Sequence, residues 1–148
     1  MSNPPLPSPE ERAALRLAAI VDSSDDAIVS KDLDGIITSW NKAAERMFGW
    51  TSEEVVGKSI RLSIPLDRQS EEDMVLSRIR AGQSITNLET VRQRKDGTSV
   101  PISLTVSPIY DDSGHVIGAS KIARDLTDRT RAAIASRGTP VSARRVPT

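Results

Sequence analysis

Two Asp-Gly pairs and an Asp-Asp-Ser-Gly stretch, each set beside β-forming runs, constrain this chain more than any other feature. Asp34-Gly35 follows AIVSKD (27–32) and opens into GIITSWN (35–41). Asp96-Gly97 lies between the extended stretch from Ser84 to Lys95 and PISLTVSPI (101–109), and residues 111–114 lead from there into VIGASKIARD (116–125). Aspartate bonds nearby backbone N–H groups and glycine accepts positive φ, so such pairs reverse the chain tightly and join neighbouring antiparallel strands. Within 101–109, Ile102, Leu104 and Val106 alternate with Ser103, Thr105 and Ser107, the period of a strand with one face buried. The expectation is an early β-hairpin and a late three-strand meander.

Helical signals fill the rest. Glu10 to Val21 places Leu15, Leu17, Ala18 and Val21 among charges at helical spacing, with its acids early, where they complement the helix dipole; this predicts a lead-in helix. NKAAERMFGW suits a helix begun by Asn41 and stopped by Gly49, and Thr51-Ser52-Glu53-Glu54 offers a second cap before Gly57. A longer helix is expected from Ser70 as N-cap, through Glu71, Glu72 and Asp73 in its first turn and Val75 and Ile79 at i,i+4, to Gly82. Strands grouped in this way predict an α+β domain, a five-stranded antiparallel sheet with helices on one face.

Length allows one such domain. With 148 residues the chain can bury roughly 70% of its unfolded surface, enough for a packed core without covalent staples. Residues 1–9 (MSNPPLPSPE with its four prolines straddles the boundary) read as a disordered arm, 10–130 as the domain with its lead-in helix, and 131–148 as a helix end and basic tail. The net charge of zero is the sum of a mildly acidic body and a tail bearing Arg131, Arg137, Arg144 and Arg145 without an acid. Four arginines among prolines are too sparse to favour nucleic acid. No apolar run approaches a membrane span and no export signal opens the chain, so a cytoplasmic location is expected. The absence of cysteine removes disulfides, thiol nucleophiles and thioether-tethered cofactors, and the single histidine, His115, sits among turn formers. No convergent nucleophile or acid–base set stands out, so the chain is not read as an enzyme.

The segments DGIITSWN (34–41), AAERMFGW (43–50), SEEVVGKS (52–59), RKDGTSVPISLTVSPI (94–109) and GASKIARDLTDR (118–129) resemble, in order, the PAS family of sensory domains, and most of all PAS modules of bacterial sensor histidine kinases. The resemblance implies a PAS fold with an N-terminal lead-in helix, a C-terminal signalling helix, and a cavity between the inner sheet face and the helices. It also restricts what that cavity holds. Two light-sensing PAS types attach their chromophore through cysteine, which this chain lacks. Haem sensors of rhizobial type resemble the RKDG and RDLT segments but carry a histidine in the long helix; here that helix reads RQSEEDMVLSRI, and Leu88 stands where those sensors place a haem-facing arginine. Haem is therefore not expected. Ala123 replaces a flavin-bonding glutamine, which counts against flavin, although non-covalent flavin against Trp40 and Trp50, or a small metabolite, stays open.

The expected cavity wall comprises Ile28, Met47, Met74, Leu88, Leu104, Val106, Lys121 and Ala123. Lys121 faces inward if Ala119, Lys121 and Ala123 form the inner phase of the last strand; Ile122 offers the rival phase. A buried ammonium needs a partner: an internal carboxylate, a carbonyl or an anionic ligand. Asn41 is read as a structural cap, and Asp125 and Thr127 as the junction that couples the sheet to an outgoing helix from Leu126 to about Arg137. Two functions compete. One is a sensory and interaction module that homodimerises through the lead-in helix or outer sheet face and feeds a histidine kinase or similar partner; the other is a ligand-free adaptor acting by protein–protein contact.

Overall fold

The three reversals share one backbone solution, set by a glycine at positive φ. In the computed structural model, which describes residues 5–127, Gly35, Gly97 and Gly114 have φ of 81°, 87° and 84°. Each glycine N–H returns to the carbonyl three residues back (Asp32, Arg94 and Asp111), and those residues' own N–H groups donate across to Ile36, Thr98 and His115. This is a type I turn widened by a glycine bulge, so each reversal occupies a three-residue loop. Asp32 and Asp111 also use Oδ1 to accept two backbone N–H groups each across their loops.

The strands so joined are β1 (Ala27–Asp32), β2 (Ile37–Trp40), β3 (Ile85–Gln93), β4 (Ser99–Tyr110) and β5 (Val116–Asp125). They form one antiparallel sheet in the order β2-β1-β5-β4-β3, so the first and last strands meet at its centre, Ala27 opposite Ala123 and Asp32 opposite Gly118. Gly118 is required there by contact rather than by φ, because a Cβ would run into the Lys31 carbonyl oxygen.

Between β2 and β3 the chain makes α2 (Lys42–Phe48), α3 (Ser52–Val55), two 3₁₀ turns (Ile60–Ser63 and Leu66–Arg68) and α4 (Gln69–Arg80). Asn41 caps α2 and Gly49 ends it at φ 89°, while Thr51 and Glu54 form a reciprocal capping box on α3. The expected start of α4 is corrected: Ser70 lies inside the helix, and the cap position is Arg68, which makes no side-chain cap bond. The 3₁₀ turn ending at Arg68 runs straight into α4, so the chain is already helical before a serine cap is needed. Val75, Ile79, Ala44 and Phe48 from the helices close over Val29, Ile102, Leu104 and Val106 on the sheet, forming a single core on one face.

α1 (Pro9–Ser23) is the lead-in helix, opened by a capping box between Ser8 and Glu11. None of its residues is buried, and Leu15, Leu17 and Ile20 are 63%, 64% and 59% exposed. No described helix is long and apolar enough to cross a membrane. The expected outgoing helix beyond Thr127 and the basic tail lie outside the described residues.

Candidate functional site

Strand alternation carries charges into the interior. On β1 the buried phase is Ala27, Val29 and Lys31; on β3, Thr90 and Arg92; on β5, Ala119, Lys121 and Ala123, while Ile117 and Ile122 face outward at 51% and 42% exposure. The inner phase of β5 is therefore the one that includes Lys121, which is 5% exposed and pairs with Val29 on one side and Val106 on the other.

Helix α4 answers two of these cations. Glu72 holds Nζ of Lys31 with both oxygens at 2.7 Å, and both side chains are essentially sealed from solvent. Glu71 accepts from Nη1 of Arg92 at 2.9 Å, from the Thr90 hydroxyl at 2.7 Å and from Arg68 at 2.9 Å. Burial alone would raise the Glu71 carboxyl, but these three donors outweigh it and hold it below the usual range. Lys31 is shifted down because the loss of hydration exceeds the attraction of Glu72. Nη2 of Arg92 is buried without an acceptor among the described residues. The Lys121 ammonium has no hydrogen bond or ion pair with a described residue. Burial, reinforced by the nearby Lys31 charge, pushes Lys121 well below the ordinary lysine value.

Lys121 and Arg92 border one small cavity between sheet and helices, walled by Val29, Trp40, Phe48, Ile60, Ser63, Ile102, Leu104 and Ala123. Its volume is about 20 Å³, space for about one water molecule. Haem and flavin do not fit this arrangement. Neither ring system enters so small a space, and His115 stands on the β4–β5 turn with its side chain 79% exposed. Among the described residues no cluster of three or more His, Asp or Glu could hold a metal ion.

Of the expected wall, Leu104, Lys121 and Ala123 border the cavity. Met47, Met74, Leu88 and Val106 pack in or against the core without reaching it. Ile28 is corrected: it alternates with the buried residues of β1 and pairs with Ile122, which puts it on the outer face. Arg92 went unexpected, since a charge in an extended stretch ordinarily points to water; the period-two series Leu88, Thr90, Arg92 was the available signal. Trp40 has a packing role, tilted against Phe48 at 5.4 Å between ring centres and donating to the Trp50 carbonyl at 3.0 Å.

Asn41 does more than cap. Its Oδ1 accepts from Ala44 N–H and Ile28 N–H, both at 2.9 Å, and its Nδ2 donates to the carbonyls of Val21 at 2.8 Å and Asp26 at 3.1 Å. One buried amide thus ties α1, β1 and α2 together. At the other junction Asp125 accepts from Thr127 N–H at 2.8 Å and Leu126 N–H bonds the Pro101 carbonyl, while the buried Thr127 hydroxyl has no partner among the described residues. Beside this junction Arg124 forms an ion pair with Asp26 at 3.3 Å.

The profile of the PAS fold matches residues 15–126. The chain is 31% identical over 121 residues to the sensor protein FixL of Bradyrhizobium diazoefficiens, a match taking in 76% of this chain and 23% of that protein. It is 32% identical over 110 residues to the signal transduction histidine-protein kinase AtoS of Escherichia coli, covering 74% of this chain and 18% of the relative. The chain thus corresponds to less than a quarter of the length of these relatives. A solved PAS domain from Colwellia psychrerythraea superposes with a TM-score of 0.71 at 31% identity, over 79% of this chain and 99% of that one. An RNA-binding Light-Oxygen-Voltage receptor superposes at 0.70 over 92% of this chain and 41% of its own, at 21% identity, a likeness of fold.

Proposed function

The chain belongs to the PAS family of sensory signalling modules, and from that premise we propose that it is a non-enzymatic sensor whose cavity takes a small ligand without a covalent bond. The observation that carries this reading is the Lys121 ammonium, buried at the cavity wall with no described acceptor. Burying such a group is costly unless something completes it, and a sensory site is a place where completion is supplied from outside. Native mass spectrometry with an ultraviolet–visible spectrum of the purified protein tests it. A retained metabolite supports the reading; a ligand-free mass together with no thermal shift from any small-molecule set overturns it.

A second reading, the ligand-free adaptor, draws support from the small volume of the cavity. Both readings take the protein to be a cytoplasmic homodimer that regulates a histidine kinase or similar signalling partner. Signal then leaves through Asp125 and Thr127, which sit where β5 ends. The exposed apolar side chains of α1, and Ile117 and Ile122 on the outer sheet face, supply the surface for the second copy.

A further inference from the structure

The charges buried between the sheet and α4 do not balance, and two of them, Lys121 and Arg92, border the cavity. Lys31 from β1, Arg92 from β3 and Lys121 from β5 are 1%, 2% and 5% exposed. Two carboxylates answer them, both from α4: Glu72 spends both oxygens on Lys31, and Glu71 is shared by Arg92, Thr90 and Arg68. Neither is left for Lys121, and Nη2 of Arg92 also lacks an acceptor. Helix α2 contributes only Phe48 to this wall, and the 3₁₀ turn at Ile60–Ser63 contributes Ile60 and Ser63, so no charge enters from that side. The interior is one negative charge short of neutrality whenever Lys121 is protonated. A water molecule satisfies hydrogen bonds but cannot supply that charge.

We propose that the cavity receives one small monovalent anion, a halide or a one-carbon carboxylate, between the Lys121 ammonium and the free Nη2 of Arg92. This rests on the cavity being the sensory site. Size follows from the volume, about one water molecule, in which formate or chloride sits with little adjustment and each added carbon must displace Leu104 or Phe48. The two donors differ in kind. Arginine keeps its charge throughout the accessible pH range, whereas burial, Lys31 and Arg92 oppose the Lys121 proton and Glu72 and Glu71 favour it. An arriving anion sides with the carboxylates. Above the Lys121 titration the anion therefore enters with one proton, drawn from solvent onto Nζ, and the interior gains no net charge. The domain then responds jointly to anion concentration and acidity.

The test is lysine-selective carbon NMR of the full chain during titration with sodium formate and, separately, sodium chloride, with formamide as the uncharged isostere. A saturable shift of the Lys121 side-chain resonance with formate, chloride or both supports the site and shows which anion it prefers. Its Kd should weaken about tenfold per pH unit above the Lys121 titration, and by about tenfold or more in Lys121→Met. Arg92→Gln, which keeps a donor, should weaken it less. Non-saturable drift with both anions, or an unchanged Kd in Lys121→Met, overturns the proposal. Formamide saturating as well as formate would leave the cavity a ligand site but remove the anion. Silence from every probe, with no ligand retained in native mass spectrometry, would remove the sensory reading as well.

Discussion

Lys121 gives the folded state a pH dependence whose sign can be worked out. In the unfolded chain it titrates at the ordinary value of 10.5, and in the folded protein well below it. Between those two values the unfolded chain binds more protons, so stability rises with pH across the window. Below the folded value both states carry the proton and the full burial penalty persists. Lys31 is shifted in the same direction and adds to the rise. Lys121→Met should therefore raise the Tm near neutral pH, flatten much of its alkaline increase, and leave the Lys31 part; an equal or lower Tm at neutral pH would contradict this. Glu72→Ala works the other way, stranding Lys31 in the interior at a cost of about 3–5 kcal/mol by denaturant titration. Replacing both, Lys31→Met with Glu72→Leu, should recover most of that loss, because the pair's attraction roughly offsets its desolvation. Gly118→Ala forces a Cβ against the Lys31 carbonyl and should cost about 1–3 kcal/mol.

Elements were legible in the sequence where a local rule set them. The glycine reversals, the Asn41 and Thr51 caps and the alternation of β4 each follow from residues a few positions apart, and strands and helices formed there. Ser70 misled because a capping residue matters only where a helix begins from extended chain, and here a 3₁₀ turn precedes it. The site was harder to read. Lys121 was reachable through strand phase, but Arg92 and the Lys31–Glu72 pair depend on partners brought from 21 and 41 residues away, respectively. Ile28 was misplaced because Ala27, Ile28 and Val29 are all apolar, so the run carries no alternation of its own and only the sheet decides which phase is inner. Asn41 shows how one position joins elements: Asn41→Ala removes a helix cap and leaves the Ile28 N–H without its side-chain acceptor. A loss of about 2–4 kcal/mol is expected in chemical denaturation, and α1 should loosen with it, visible as faster amide exchange near Val21.

For the whole molecule, the unburied apolar stripe of α1 is the feature most in need of company. On the homodimer proposed above, Leu17→Glu with Ile20→Glu should give a monomer in light scattering where the unsubstituted chain gives a dimer, with its far-ultraviolet circular dichroism kept; an unchanged dimer mass would direct attention to Ile117 and Ile122. The central seam between β1 and β5 has a separate, mechanical meaning. β1 begins beside the end of β5, Ala27 opposite Ala123, with Arg124 and Asp26 bridged just outside. Entrance and exit of the domain are thus neighbours, and a pull on the two ends loads the ladder one rung at a time, as a zipper is opened, rather than shearing all rungs together. Under tension, once the Asn41 ties to Val21 and Asp26 and the Arg124–Asp26 clasp have parted, the sheet opens from its middle toward the Asp32–Gly118 end, with its two halves left intact as hairpin and meander.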